Sequence, residues 1–211
     1  MAARKAFPSG LFQPAGSYRF AADSLALAAF GRRFLPEGAA RFADLGTGCG
    51  VVGLALLLEA PASSGFGLER EGVLAEAARQ NAARLGLAER FAVLEGDVAD
   101  LSSRGDVRRG ELDVVLANPP WRVRGACRLS PSALRNAALV GDEETFPSFA
   151  RAAFFLLKPG GWLAAVVCLE REAALREAAH AAGFLCRERH APAPGGGAPA
   201  PFVLLGFRKG M

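Results

Sequence analysis

Phe42-Ala43-Asp44-Leu45-Gly46-Thr47-Gly48-Cys49-Gly50-Val51 is the stretch on which the fold turns. Residues 42–45 form a short apolar run interrupted only by Asp44, and read as a strand. The run leads into three glycines at alternate positions. Residues 51–60 follow, apolar nearly all round, and read as a buried helix. Glycines permit a tight turn and a close approach of backbone to a ligand. A helix N-terminus directly after them presents free N–H groups to that ligand. The nicotinamide fingerprint G-x-G-x-x-G would place its last glycine at Val51, so that pattern fails.

Working outward, short apolar runs at 66–69, 91–95, 112–117, 163–168, 184–190 and 202–207 read as further strands. Residues 72–87 have helical spacing, with Leu74, Ala77, Ala78, Asn81 and Leu85 on one face and Gly86 as the stop. A helix over 146–157 is expected to end at Lys158-Pro159-Gly160-Gly161, and one over 170–182 at Gly183. Strand and helix alternate from 42 to 183, which predicts a parallel sheet with helices on both faces. No helix separates the last two strands, so they are expected to form an antiparallel hairpin joined by the Gly/Pro/Ala-rich residues 192–201. The expectation is an α/β, Rossmann-like fold with a mostly parallel seven-stranded sheet. Residues 1–211 read as one domain: a lid-like segment at 1–40 and a core at 41–211. The segment holds one helix candidate, 22–35, and the aromatic-basic stretch Tyr18-Arg19-Phe20.

Composition narrows the classes. Of 211 residues, 51% are hydrophobic and 22% charged, which excludes a disordered chain. No apolar run follows the basic N-terminal residues, and the longest apolar stretch, 51–58, is broken by Gly53 and too short to span a bilayer. A cytoplasmic protein is the expectation. Cys49, Cys127, Cys168 and Cys186 include no C-x-x-C pair, and there are two histidines, so no metal site is expected. The formal charge of +4 permits a polyanionic partner without requiring one.

The spacing D-x-G-x-G-x-G resembles motif I of class I S-adenosylmethionine-dependent methyltransferases. The resemblance implies that Asp44, Gly46, Thr47, Gly48 and Gly50 cradle the methionine part of the cofactor. Glu69, at the end of the second strand, is placed to accept from both ribose hydroxyls. Asp97 matches the family's acceptor for the adenine amino group. Asn118-Pro119-Pro120-Trp121, directly after the fourth strand, resembles the N-P-P-aromatic motif of the amino-methyltransferases. The chemistry explains it. An adenine N6 or carboxamide nitrogen has a delocalised lone pair and is a poor nucleophile. The Asn118 side-chain oxygen and Pro119 carbonyl can accept its N–H groups and stabilise the positive charge that develops. Trp121 can stack on a planar acceptor.

Flanking motifs extend the resemblance over nearly the whole chain. Gln13-Pro14-x-x-x-Tyr18-Arg19-Phe20-x-x-Asp23-Ser24-x-x-Leu27-Ala28 is similar to the N-terminal signature of the bacterial tRNA1(Val) adenine-37 N6-methyltransferases. There the segment closes over the cofactor, which implicates Arg19 and Phe20. Ser130-Pro131-x-x-x-Arg135, Leu157-Lys158-Pro159-Gly160-Gly161 and the tail Leu204-Leu205-x-x-Arg208-Lys209-Gly210 also fit. Trp121 replaces the usual Tyr or Phe, Ala-Leu-Val-Gly-Asp stands at 138–142 in place of Ala-Arg-His-Glu, and Pro201 stands near an expected Arg. These departures fall where RNA is expected. Arg122, Arg124, Arg128 and Arg135 are the candidate contacts to substrate phosphates. The expected partner is thus RNA, a tRNA, with S-adenosylhomocysteine as product. A glutamine methyltransferase acting on a release factor or ribosomal protein uses the same motif on an amide and is the alternative. Restriction-type DNA methylation, a small-molecule acceptor and a scaffold without catalysis fit less well.

Overall fold

The computed structural model describes residues 2–123, 130–192 and 202–210. Helices α1 (Ala2–Lys5) and α2 (Ala22–Arg32) precede β1 (Arg41–Leu45). Then come α3 (Val51–Glu59), β2 (Ser64–Glu69), α4 (Gly72–Arg84), β3 (Phe91–Glu95), a 3₁₀ turn at Val98–Ser103, and β4 (Leu112–Ala117). An excursion holds β5 (Arg122–Val123), α5 (Ala133–Leu139) and β6 (Val140–Gly141). The order ends with α6 (Thr145–Leu156), β7 (Leu157–Cys168), a 3₁₀ turn at Leu169–Arg171, α7 (Glu172–Ala181), β8 (Phe184–His190) and β9 (Phe202–Lys209).

Seven strands form one sheet in the order β3-β2-β1-β4-β7-β9-β8, and β5 pairs with β6 apart from it. Pairing is parallel from β3 to β7, while β9 runs antiparallel to β7 and to β8. The expected sheet and C-terminal hairpin are both present. Chain order reverses between β1 and β4. That is the switch point at which open α/β sheets bind ligands beyond the C-terminal strand ends.

Period-two alternation divides the core between the sheet's two faces. Phe42, Val114 and Leu116 pack with α2 and α3 on one face. Leu45, Val115, Phe146, Leu156, Phe184 and Phe207 pack on the other. Helix α3 is apolar all round because the sheet covers one side and α2 another. Its C-terminal end lacks glycine or lysine, and Arg90 takes over. The guanidinium donates to the carbonyls of Leu57 (3.4 Å), Ala60 (3.2 Å) and Ser63 (2.9 Å).

Several boundaries differ from expectation. Helix α2 stops at Arg32, and residues 33–35 continue as tight i→i−3 turns, since Pro36 disfavours helical backbone before it. The Lys158–Gly161 stop lies inside β7. Leu157 pairs with Leu112 and Trp162 with Val114, so the residues between them bulge, with Gly160 at φ 72°. Helix α6 needs no loop there because the buried Lys209 ammonium donates to Phe154 O (2.6 Å) and Leu157 O (2.7 Å). Helix α5 and the turn at Val98–Ser103 were not expected. Ser132 caps α5, its hydroxyl accepting the Arg135 N–H at 3.3 Å.

One buried side chain ties the chain before α2 to the glycine turn. Asn81 on α4, 1% exposed, accepts the Phe12 N–H (2.7 Å) and donates to Phe12 O and Cys49 O (2.9 Å each). Asn81→Ala leaves all three backbone groups short of a partner. It should lower stability by about 2 kcal/mol or more in urea unfolding. Gln80→Ala, at the exposed neighbour, should cost less than about 0.5 kcal/mol.

Candidate active site

Two carboxylates hold the glycine turn. Asp44, on the α3 face of β1 and 1% exposed, accepts through Oδ2 from the Thr47 hydroxyl (2.6 Å) and the Gly53 N–H (3.0 Å). Burial pushes it from its ordinary 3.8 up to about 7, opposed by those two bonds and reinforced by the Glu69 charge. Glu69, 7% exposed, accepts from the Gly48 N–H (2.8 Å) and the Glu71 N–H (3.0 Å). Burial raises it and those N–H groups lower it. Gly46, Gly48 and Gly50 have φ of 69°, 57° and 90°, a region that disfavours other residues. The N–H groups of Gly46 and Thr47 both bond to Leu68 O, which fixes the turn to β2.

A cleft of about 300 Å³ opens over this turn, lined among others by Gly46, Gly48, Glu69, Asp97, Pro120 and Phe149. A second cavity of about 90 Å³ adjoins it, lined among others by Tyr18, Phe20, Ser24, Thr47, Pro119 and Trp121. Asn118 lines both. Asp97 caps the turn at Val98–Ser103, accepting the Ala99 N–H at 2.9 Å. The larger cleft is acidic: Glu69, Glu71, Asp97, Asp142 and Glu144 line it against Arg70, which itself pairs with Glu71 (3.5 Å) and Asp97 (3.9 Å).

Trp121 packs on the sheet face that holds Leu45 and Phe146, and the Arg122 guanidinium lies over its ring at 5.4 Å. Arg135 is exposed on α5. The Tyr18 pKa is raised by burial and by the Asp23 charge, and lowered by the charges of Arg122 and Arg135. Arg124 and Arg128 lie outside the described residues.

Five expected site residues among the described residues line neither cavity: Asp44, Gly50, Arg19, and the candidate substrate contacts Arg122 and Arg135. Asp44 is turned into the core to hold the turn. Gly50 packs on α4, where a Cβ would meet Ala78 at 3.3 Å. Arg19 is exposed, while Tyr18 and Phe20 on either side of it face the cavity. Extended backbone alternates sides, and that signal, applied to 18–20, would have found Tyr18. Ser24, Phe149 and the α5 residues Ala137 and Ala138 were also missed. No sequence pattern marks the last three as cleft residues.

Residues 32–181 match the family model described as the methyltransferase small domain. The chain belongs to that family. One curated relative of this methyltransferase domain is a release factor glutamine methyltransferase of Agrobacterium fabrum, 35% identical over 59% of this chain and 44% of the relative. Another is a tRNA1(Val) (adenine(37)-N6)-methyltransferase of Porphyromonas gingivalis, 31% identical over 63% of this chain and 51% of the relative. The chain spans about half the length of these relatives. A solved structure of a predicted O-methyltransferase from Agrobacterium tumefaciens shares the fold, with a TM-score of 0.67 and 24% identity over 90% of this chain and 81% of the other. S-adenosylmethionine is the cofactor that the family indicates.

A pH dependence follows from Asp44. Its folded value lies above the unfolded one, so between about pH 4 and 7 the folded state holds the extra proton. Its contribution to stability therefore declines as pH rises through that window. Both donors meet one oxygen, which the Asn amide also offers. Asp44→Asn should keep the turn and flatten the loss of unfolding free energy between pH 4.5 and 7.5. Parallel pH profiles for the two proteins would contradict this.

Proposed function

We propose that this methyltransferase domain transfers a methyl group from S-adenosylmethionine to an amino nitrogen, N6 of an adenine in tRNA, in the cytoplasm. One observation carries the reading. Asn118-Pro119-Pro120-Trp121 leaves the C-terminal end of β4 at the point where the larger cleft meets the smaller cavity.

The larger cleft fits the cofactor. Glu69 spends two of its lone pairs on backbone N–H groups and keeps others for two ribose hydroxyls. Asp97 Oδ2 lies outside the capping bond, with only Arg70 at 3.9 Å among the described residues, and accepts the adenine amino group. Gly46, Thr47, Gly48 and Phe20 hold the methionine part, beside the five carboxylates that favour a cationic ligand. At Gly48 the space a Cβ would take is open. When bound, S-adenosylmethionine supplies an electrophilic methyl group on a sulfonium, and S-adenosylhomocysteine is released.

The chain's own residues prepare the acceptor. The Asn118 oxygen and Pro119 carbonyl accept its N–H groups, Pro120 keeps the turn rigid, and Trp121 offers a flat face worth ~1–3 kcal/mol per stacked base. The acidic cleft repels a polyanion, so RNA binds outside it, with Arg122 next to Trp121 and the exposed Arg135 on α5 as its phosphate contacts. Residues 1–40 act as the lid-like segment over the 41–211 core, which the presence of Tyr18, Phe20 and Ser24 in the cavity wall supports. Among the described residues no helix is long and apolar enough to cross a membrane, and no cluster of three or more His, Cys, Asp or Glu could hold a metal.

A glutamine of a release factor is the second reading, favoured by the relative that is 35% identical. Labelled S-adenosylmethionine incubated with unmodified total tRNA, total rRNA and a release-factor preparation separates the two. The expected product is N6-methyladenosine in tRNA, reduced about 100-fold or more by Asn118→Ala with cofactor binding retained. Label in protein alone promotes the second reading. Transfer undiminished by Asn118→Ala contradicts both.

A further inference from the structure

We infer that Ser24, held by Asp23, orients the Asn118 carboxamide so that its oxygen faces the acceptor. Both residues lie in the first turn of α2, far from β4 in sequence, and both line the smaller cavity beside Asn118. Ser24 is 4% exposed, so its hydroxyl depends on protein partners. Two are within reach. Asp23 Oδ1 lies 3.3 Å from the hydroxyl and also accepts the Ser24 N–H at 2.7 Å. Asn118 Nδ2 lies 3.5 Å from the hydroxyl on its other side.

The direction of this chain follows from donor count. An ionised carboxylate only accepts, and a serine hydroxyl has one proton to give. With that proton committed to Asp23, Ser24 presents lone pairs to Asn118. The NH₂ end of the carboxamide satisfies them, whereas a flipped amide would set oxygen against oxygen. The amide oxygen is therefore kept for the N–H of the incoming nitrogen. The spacings are long, as hydrogen bonds at such sites often are before substrate arrives. Ser24 is thus a positioning residue, and Asp23 fixes the sense of its hydroxyl.

The inference rests on Asn118 as the acceptor of the nitrogen's proton, and the test keeps the two apart. The chain has three asparagines, at 81, 118 and 136, so ¹⁵N-asparagine labelling gives three side-chain amide pairs, and Asn118→Ala identifies one by its loss. In Ser24→Ala, hydrogen exchange at the Asn118 amide should quicken about tenfold. Turnover with S-adenosylmethionine and unmodified total tRNA should fall about tenfold, with cofactor affinity within about twofold of the parent. Ser24→Thr, which restores the hydroxyl, should recover both. Unchanged exchange in Ser24→Ala overturns the inference whatever the acceptor proves to be. Loss of cofactor binding in that variant also overturns it, placing Ser24 in the cofactor site. Full turnover by Asn118→Ala would instead remove the role of Asn118 itself.

Discussion

Backbone N–H groups at a helix N-terminus need partners, and in this chain two buried carboxylates supply them where the sheet's strand order reverses. Asp44, from β1, takes the Gly53 N–H and the Thr47 hydroxyl. Glu69, from the end of β2, takes the Gly48 N–H. The turn between β1 and α3 is thereby fixed by two adjacent strands. Its left-handed glycines hold the path open, with those acceptors and Leu68 O fixing it. Each carboxylate is buried at an electrostatic cost, visible in the upward shift of both. Such a cost persists where the geometry serves a ligand.

The remaining parts of the site are arranged around that turn. Asn81 joins its Cys49 carbonyl to Phe12, so the N-terminal segment that walls the smaller cavity is registered to the turn itself. From the other side, Ser132 at the cap of α5 donates to Gly16 O at 2.6 Å. Arg70 reaches Ala137 O at 3.2 Å, tying α5 back to the end of β2. The cleft is thus enclosed by elements that each bond to it or to one another. Five carboxylates line the larger cleft, while the charges of Arg122 and Arg135 act on Tyr18 in the wall of the smaller cavity.

Much of this was legible in the sequence. The D-x-G-x-G-x-G turn, the strand-end acids Glu69 and Asp97, and the Asn118 motif at the end of β4 all fall on one edge of the sheet. That follows from strand-helix alternation alone. What escaped reading has physical causes. Helix α5 is seven residues long and too short to show a period. The Lys158–Gly161 stretch reads as a helix stop, yet a bulge in β7 absorbs it and the distant Lys209 supplies the cap. Asp44 was expected on the ligand, but facing along β1 is set by alternation with Phe42, which points it at α3. Arg19 lost its place to Tyr18 for the same reason, one residue of register in an extended segment.

The central claim is that the turn held by Asp44 and Glu69 is a cradle for S-adenosylmethionine. Titration of the cofactor into Glu69→Ala, followed by calorimetry, tests it most directly. Loss of both the ribose contact and the Gly48 anchor should raise the dissociation constant by about 10-fold or more while the thermal unfolding transition stays cooperative. An unchanged dissociation constant in a folded Glu69→Ala protein would contradict the account.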